Sequence, residues 1–130
     1  NKEVEMIKTY IGLQKERINP ETTIVEFETS GDFGKVEIVP LLLLPLVENC
    51  FKHGVGKDKG SIRIFVELRD RQLHFQTTNT IALREAGREN GGIGIKNVEK
   101  RLNLIYPDCH SLEFQEENGI FRLEMKIQLN

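Results

Sequence analysis

At 130 residues the chain has the length of one domain, enough for a single continuous core and short for two. Its 18 basic and 20 acidic residues give a formal charge of -2, so no basic field favours nucleic acid or an anionic membrane surface, and an anionic ligand must be held by local donors or a metal ion. No apolar run approaches the roughly 20 residues of a membrane span, the start "NKEVEMIKTY" lacks a signal peptide's layout, and Cys50 and Cys109 are too few and too far apart for a disulfide framework or a zinc site.

From the first turn, Val4, Ile7, Tyr10, Ile11 and Leu13 recur at helical spacing, which predicts a helix over residues 2–17 with no capping signal ahead of it. "NPET" supplies turn chemistry, "TTIVEFETS" alternates as a strand, and "GDFG" turns the chain into a short second strand, "KVEIV", so that residues 22–39 read as a hairpin or strand pair. A helix is expected from Pro40 to Gly54, with a loose first turn or a restart at Pro45, whose missing amide hydrogen would cost a bond in a helix interior. "SIRIFVELR" and "QLHFQTTN" read as an antiparallel pair around "DRQ". Residues 80–92 are polar and glycine-bearing and are expected to form a mobile loop. A helix from Ile93 with Ile95, Val98, Leu102 and Ile105 on one stripe follows, ended by "YPD", and "SLEFQEE" and "IFRLEMKIQL" form a last pair across "NG". The order implies an α/β (α+β) two-layer sandwich, a mixed and mostly antiparallel sheet with about three helices on one face.

The chemistry concentrates at "ENCFKHG", Glu48 to Gly54. Asn49 shares a helical line with Leu42 and Leu46, while Glu48, Lys52 and His53 crowd the same two turns. A buried amide without partners costs about 1–3 kcal/mol and an unpaired charge more, so a wet groove at the helix edge is one explanation of the cluster. The other is an exposed Glu48–Lys52 ion pair, a locally bonded Asn49 and a His53 favoured by the helix C-terminus. A second stretch, "NGGIGIKN" at Asn90 to Asn97, places glycines at a loop-to-helix junction, where backbone can approach a ligand and free amides can hold an anion. Alone it would equally suit a turn before a helix. It matches neither a P-loop, since Ile93 stands where the lysine belongs, nor a dinucleotide fingerprint, since Asn97 replaces the third glycine.

Taken together, "IVPLLLLPLVENCFKHG" and "GGIGIKNVEKRLNLIYP", about a quarter of the chain, resemble the catalytic ATP-binding domain of sensor histidine kinases, most of all the LytS-like group. The resemblance implies the Bergerat (GHKL) fold, with ATP held between helices and a lid. Carried over by position, Asn49 resembles the family's Mg2+-binding asparagine, Lys52 would meet a phosphate, and His53 would lie against adenine or ribose. Glu48 would orient a metal-bound water or pair with Lys52. Gly92 and Gly94 would offer backbone amides to the phosphates, Ile93 would anchor the lid's end, Lys96 would assist electrostatically, and Arg101 would support the helix.

The chain departs from the family at two places. Where an Asp-x-Gly-x-Gly box would follow the strand, the sequence reads "NTIAL": Asn79 stands at the position of the adenine-recognising aspartate, while Ile81 and Leu83 replace both glycines. Where related ATPases carry a water-activating glutamate, this chain has Pro45, which disfavours hydrolysis and leaves phosphoryl transfer to a histidine. Among His53, His74 and His110 none resembles the phosphoacceptor motif, so the acceptor is expected upstream, with residues 1–17 the trailing helix of a dimerisation region and 18–130 the ATP-binding domain. The resemblance implies a histidine kinase that uses ATP and Mg2+, is homodimeric at full length, hands its phosphoryl group to a response regulator, and works as the cytoplasmic part of a membrane-anchored protein. This piece would bind ATP without phosphorylating itself. The alternative is a degenerate, non-catalytic nucleotide-binding or scaffolding module of the same fold.

Overall fold

A computed structural model describes residues 1–54, 59–81 and 92–129, without the side chains of residues 53, 54, 92 and 93. Helix α1 spans Lys2–Arg17, and Asn1 caps it, its side-chain oxygen accepting from the Glu3 amide at 2.9 Å. That cap is a signal the sequence reading overlooked. The same side chain's Nδ2 donates to Val36 O at 3.0 Å, fastening the helix start to the segment before the next helix. Glu3 and Glu5 in the first turn and Lys15 and Arg17 in the last complement the helix dipole. Val4, Ile7 and Ile11 are buried, Tyr10 is half-buried, and Leu13 is 56% exposed, so the apolar stripe is narrower than its spacing suggests.

Strand β1 covers Thr23–Ser30, β2 Gly60–Arg69, β3 Gln72–Thr80, β4 His110–Glu117 and β5 Ile120–Gln128. They form one sheet in the order β1-β2-β3-β5-β4. Three neighbours are antiparallel, whereas β1 and β2 are parallel, with Thr23 opposite Gly60 and Ser30 opposite Glu67. A parallel pair needs a long crossover, and helix α2, Leu44–Gly54, lies within it. The expected hairpin over residues 22–39 is therefore absent. Phe33–Lys35 form a short 3-10 turn capped by the Asp32 carboxylate on the Gly34 amide, and Val36 and Ile38 are buried without strand pairing. Their alternation reflects burial of an extended segment beneath α1 and α3: Val36 O accepts from Asn1, and Val39 N donates to the Tyr106 hydroxyl.

Pro45 stands in the first turn of α2, where its lack of an amide hydrogen costs nothing, and residues 40–43 form a turn. The helix expected from Pro40 therefore begins only at Leu44, and residues 40–43 are a loose turn ahead of it. Helix α3 runs Gly92–Ile105, burying Ile95, Val98 and Leu102 but leaving Ile105 44% exposed past the end of the stripe. The loop expected over residues 80–92 lies largely outside the described residues; Thr80 ends β3 and Ile81 is buried.

The helices cover one sheet face. Ile62, Ile64 and Val66 of β2, Leu73, Phe75 and Thr77 of β3, and Leu123, Met125 and Ile127 of β5 point into the core, while their alternates face outward. Both hairpins turn on left-handed pairs, Asp70-Arg71 and Asn118-Gly119, the conformation of a two-residue turn that matches strand twist. Among the described residues no helix is long and apolar enough to cross a membrane.

Two glycines end strands for different reasons. Gly31 has φ +112, and a Cβ there would sit 2.2 Å from Leu68 O, whereas Gly119 has φ +76 and open space. Gly119→Ala should cost about 1–2 kcal/mol from backbone strain alone. Gly31→Ala adds a backbone clash and should cost distinctly more, about 2–5 kcal/mol. Urea unfolding of the two variants checks the order; equal losses would contradict it.

Candidate functional site

Helix α2 packs across β2 and β3 and touches α1 and α3. Leu46, Val47, Cys50 and Phe51 form its buried face. Asn49 lies half-buried at the edge of that face, with Glu48 and Lys52 exposed beyond it. Among the described residues Glu48 and Lys52 form no ion pair and the Asn49 side chain makes no hydrogen bond. Of the two sequence-based explanations for this cluster, the exposed pair is not realised. His53 belongs to the last turn of α2, and its side chain lies outside the described residues.

Cys50 faces the sheet and hydrogen-bonds Thr77 on β3. Burial pushes its thiol up to about 12 despite that bond. On the other side Tyr10 of α1 meets Phe51 edge-on, with ring centroids 5.6 Å apart. Burial first, then the Glu48 carboxylate, raises the Tyr10 phenol above its ordinary range. The turn carrying Asn49 is thus fixed to the strand below and the helix beside it.

Asn79 follows Thr77 by two residues, so the pleat points it to the same face. It is 1% exposed. Its Nδ2 donates to Thr80 O at 3.0 Å, which leaves Oδ1 as the amide's free acceptor, and among the described residues Oδ1 has no hydrogen-bond partner. Such an orphaned acceptor costs about 1–3 kcal/mol.

Gly92, Ile93, Gly94 and Lys96 fall in the first turns of α3. Gly94 and Lys96 are exposed, and Lys96 is engaged by other groups of the chain. A Cβ at Gly94 would meet nothing within 4 Å. Nothing among the described residues calls for glycine at this helical position, where it costs about 0.5–1 kcal/mol relative to alanine. Arg101, two turns on, donates to Pro40 O and Leu41 O at 2.6 Å each, so it supports the α2 entrance, as expected of a structural residue.

One contributor was missed. Glu3 of α1 is 3% exposed, and its carboxylate accepts from the amides of Leu41 at 2.9 Å, Leu43 at 2.7 Å and Leu44 at 3.2 Å. An acidic residue in a first helical turn reads as a dipole partner of its own helix, and no short-range pattern ties it to amides some 40 positions away.

His74 and His110 are both engaged within the sheet layer: His74 Nε2 lies 3.0 Å from Glu124 Oε2, and His110 Nδ1 lies 2.7 Å from Tyr106 O. Described concavities elsewhere, an apolar groove of about 620 Å³ along α1 and a polar one of about 290 Å³ on the outer sheet face, contain none of the candidate residues.

No protein-family model matches the chain. It is 26% identical over 135 residues to the sensor protein LytS of Enterococcus faecalis, a match covering 92% of this chain and 23% of that protein. It is 30% identical over 116 residues to the sensor histidine kinase YpdA of Escherichia coli, covering 81% of the chain and 20% of the relative. Among solved structures, the nucleotide-free catalytic domain of histidine kinase ThkA superposes with TM-score 0.67 at 17% identity, over 95% of this chain and 91% of that one. ThkA in complex with the response regulator protein TrrA gives 0.66 at 17% identity, over 97% of this chain and 40% of that one. The chain is a homologue of the LytS-like sensor histidine kinases and has the fold of a histidine kinase catalytic domain. It spans about a fifth to a quarter of the length of these kinase relatives.

The two thiols of this kinase-like domain differ sharply in setting: Cys50 is buried and held protonated, Cys109 is half-buried. At pH 8 iodoacetamide should label Cys109 in the native protein and leave Cys50 untouched, with Cys50 reacting only in denaturant. Peptide mass mapping checks this; native labelling of Cys50 would show that α2 does not rest on β3 as described.

Proposed function

We propose that this domain binds Mg-ATP and, in its full-length protein, positions the γ-phosphoryl group for transfer to a histidine outside the 130 residues. The observation that carries the reading is Asn79. Its amide is oriented by the bond to Thr80 O, and its buried Oδ1, without a partner among the described residues, is suited to accept from the exocyclic amino group of adenine. The asparagine can thus do the work of an aspartate at this position.

The residues on α2 and α3 fit the remaining parts. Asn49 presents a half-buried amide without a described partner beside the exposed Lys52. Among the described residues no cluster of three acidic, His or Cys groups could cage a cation. A Mg2+ ion would therefore arrive with the triphosphate, taking most of its oxygens from phosphate and water and one from Asn49, as this small hard cation commonly does. When bound it would neutralise phosphate charge. Lys52 would add a point charge, His53 would face the nucleoside, and Glu48 would orient a metal-bound water. The amides about Gly92, Ile93 and Gly94, at the start of α3, would meet the phosphates, with Lys96 adding to the field.

Pro45 in the first turn of α2 cannot act as a general base, which supports transfer over hydrolysis. His74 and His110 are tied into the sheet layer, which supports an acceptor elsewhere, in dimerisation helices of which residues 1–17 would be the trailing end. The complex of ThkA with a response regulator supports such a regulator as the final acceptor. Use of ATP would suit a cytoplasmic domain, and its likeness to a sensor protein supports a membrane-anchored whole.

Isothermal titration of the 130-residue chain with Mg-ATP should show saturable binding that Asn49→Ala and Asn79→Leu each weaken at least tenfold. Phosphotransfer by a longer chain including the upstream helices then separates kinase from scaffold. Gly94→Ala gives a sharper test: unfolding should show it as stable as the parent or more so, by up to about 1 kcal/mol, while nucleotide affinity falls. Unchanged affinity in all three variants would exclude this site.

A further inference from the structure

Three elements converge on residues 40–44, the turn that leads into α2. From α1, the buried Glu3 carboxylate accepts the amides of Leu41, Leu43 and Leu44. From α3, the Arg101 guanidinium donates to the carbonyls of Pro40 and Leu41. Between them Leu41 takes φ 59, a left-handed conformation that costs a branched-chain L-residue strain and persists only where its surroundings impose it. An α-helix begins with orphan amides, normally met by a side chain one to three residues away. Here the group that meets them belongs to another helix, so the start of α2 is placed relative to α1 as well as to its own sheet.

We propose that Glu3 is a positioning residue for the nucleotide site: by capping α2 from α1, it sets the axial position and rotation of the helix that presents Asn49. The inference rests on the nucleotide reading above. Asn49 lies five residues after Leu44, fewer than two turns, so a shift of the first turn reaches it through rigid helix. Tyr10 against Phe51 gives α1 a second hold on the same helix, at the turn where Asn49 sits. Movement of α1 is therefore felt at the phosphate end of the site, and Arg101 extends the linkage to the helix bearing Gly92 and Gly94.

Glu3→Gln keeps the side chain's size but turns a carboxylate with two acceptor oxygens into an amide with one, leaving at least one amide of the turn into α2 unmet. Ile127→Val, at a buried position on β5 rather than on α1, α2 or α3, serves as a comparison loss of core stability. Well below either variant's Tm, Glu3→Gln should weaken Mg-ATP binding five- to tenfold and move the Asn49 backbone amide resonance. Ile127→Val should lower Tm and change neither. If Glu3→Gln lowers Tm yet leaves affinity within twofold and the Asn49 resonance in place, Glu3 is only a stabilising cap and the proposal is overturned. Should Glu3→Gln not fold, Glu3→Asp carries the same comparison, since its shorter carboxylate cannot reach all three amides. If the parent chain fails to bind Mg-ATP, the nucleotide reading falls by itself; movement of the Asn49 resonance then upholds the coupling and its absence overturns it.

Discussion

Helix α2 can show a polar edge only because everything else about it is satisfied. Leu46, Val47 and Phe51 are buried against the core, each contributing about 1.5–3 kcal/mol relative to exposure. Its opening amides meet a carboxylate, and hydrogen bonds to a charged group are worth about 1.5–3 kcal/mol each before the cost of burying that group. Against these terms, an Asn49 amide without a partner among the described residues is affordable. The helix is pinned at its start by Glu3 and Arg101, in its middle by Cys50 on Thr77, and at its side by Tyr10 on Phe51.

Such pinning suits a site whose contribution to phosphoryl transfer is geometry and field rather than covalent chemistry. Asn49 on α2, Asn79 on β3 and the glycines of α3 come from three separate elements. Only packing brings α2 onto the strand that carries Asn79, and the α2 entrance ties it to α3. Among the described residues, an amide on the strand and a glycine on the helix each leave something undone, an acceptor without a donor and a backbone without a reason to be bare. In the proposed reading a bound nucleotide would meet both.

Much of this was legible in one dimension because the relevant periods are short. The alternation in β2, β3 and β5, the stripe of α3 through Leu102 and the "NG" turn all depend on neighbours within a few residues. So does Pro45, whose chemistry allows a helix start and resists a helix middle. The failures share a cause. "KVEIV" alternates because Val36 and Ile38 are buried, yet burial does not by itself recruit a pairing strand, and β1 found its partner in β2 through a parallel crossover that local pattern cannot show. Leu13 and Ile105 continue an apolar period beyond the point where the core ends. The site followed the same division: Asn49 stood out on its helical line and Asn79 through the family resemblance, while Glu3 acts through space at a distance no motif spans.

The central claim is that Asn49, Asn79 and the start of α3 face one nucleotide. An NMR titration of the isotopically labelled chain with Mg-ATP, followed by exchange of Mg2+ for paramagnetic Mn2+, reads all three together. The account predicts saturable shifts at Asn49, Asn79 and Gly94, with Mn2+ broadening greatest about Asn49. Shifts that are absent, or confined to the outer sheet face about Glu26 and Arg63, would contradict it.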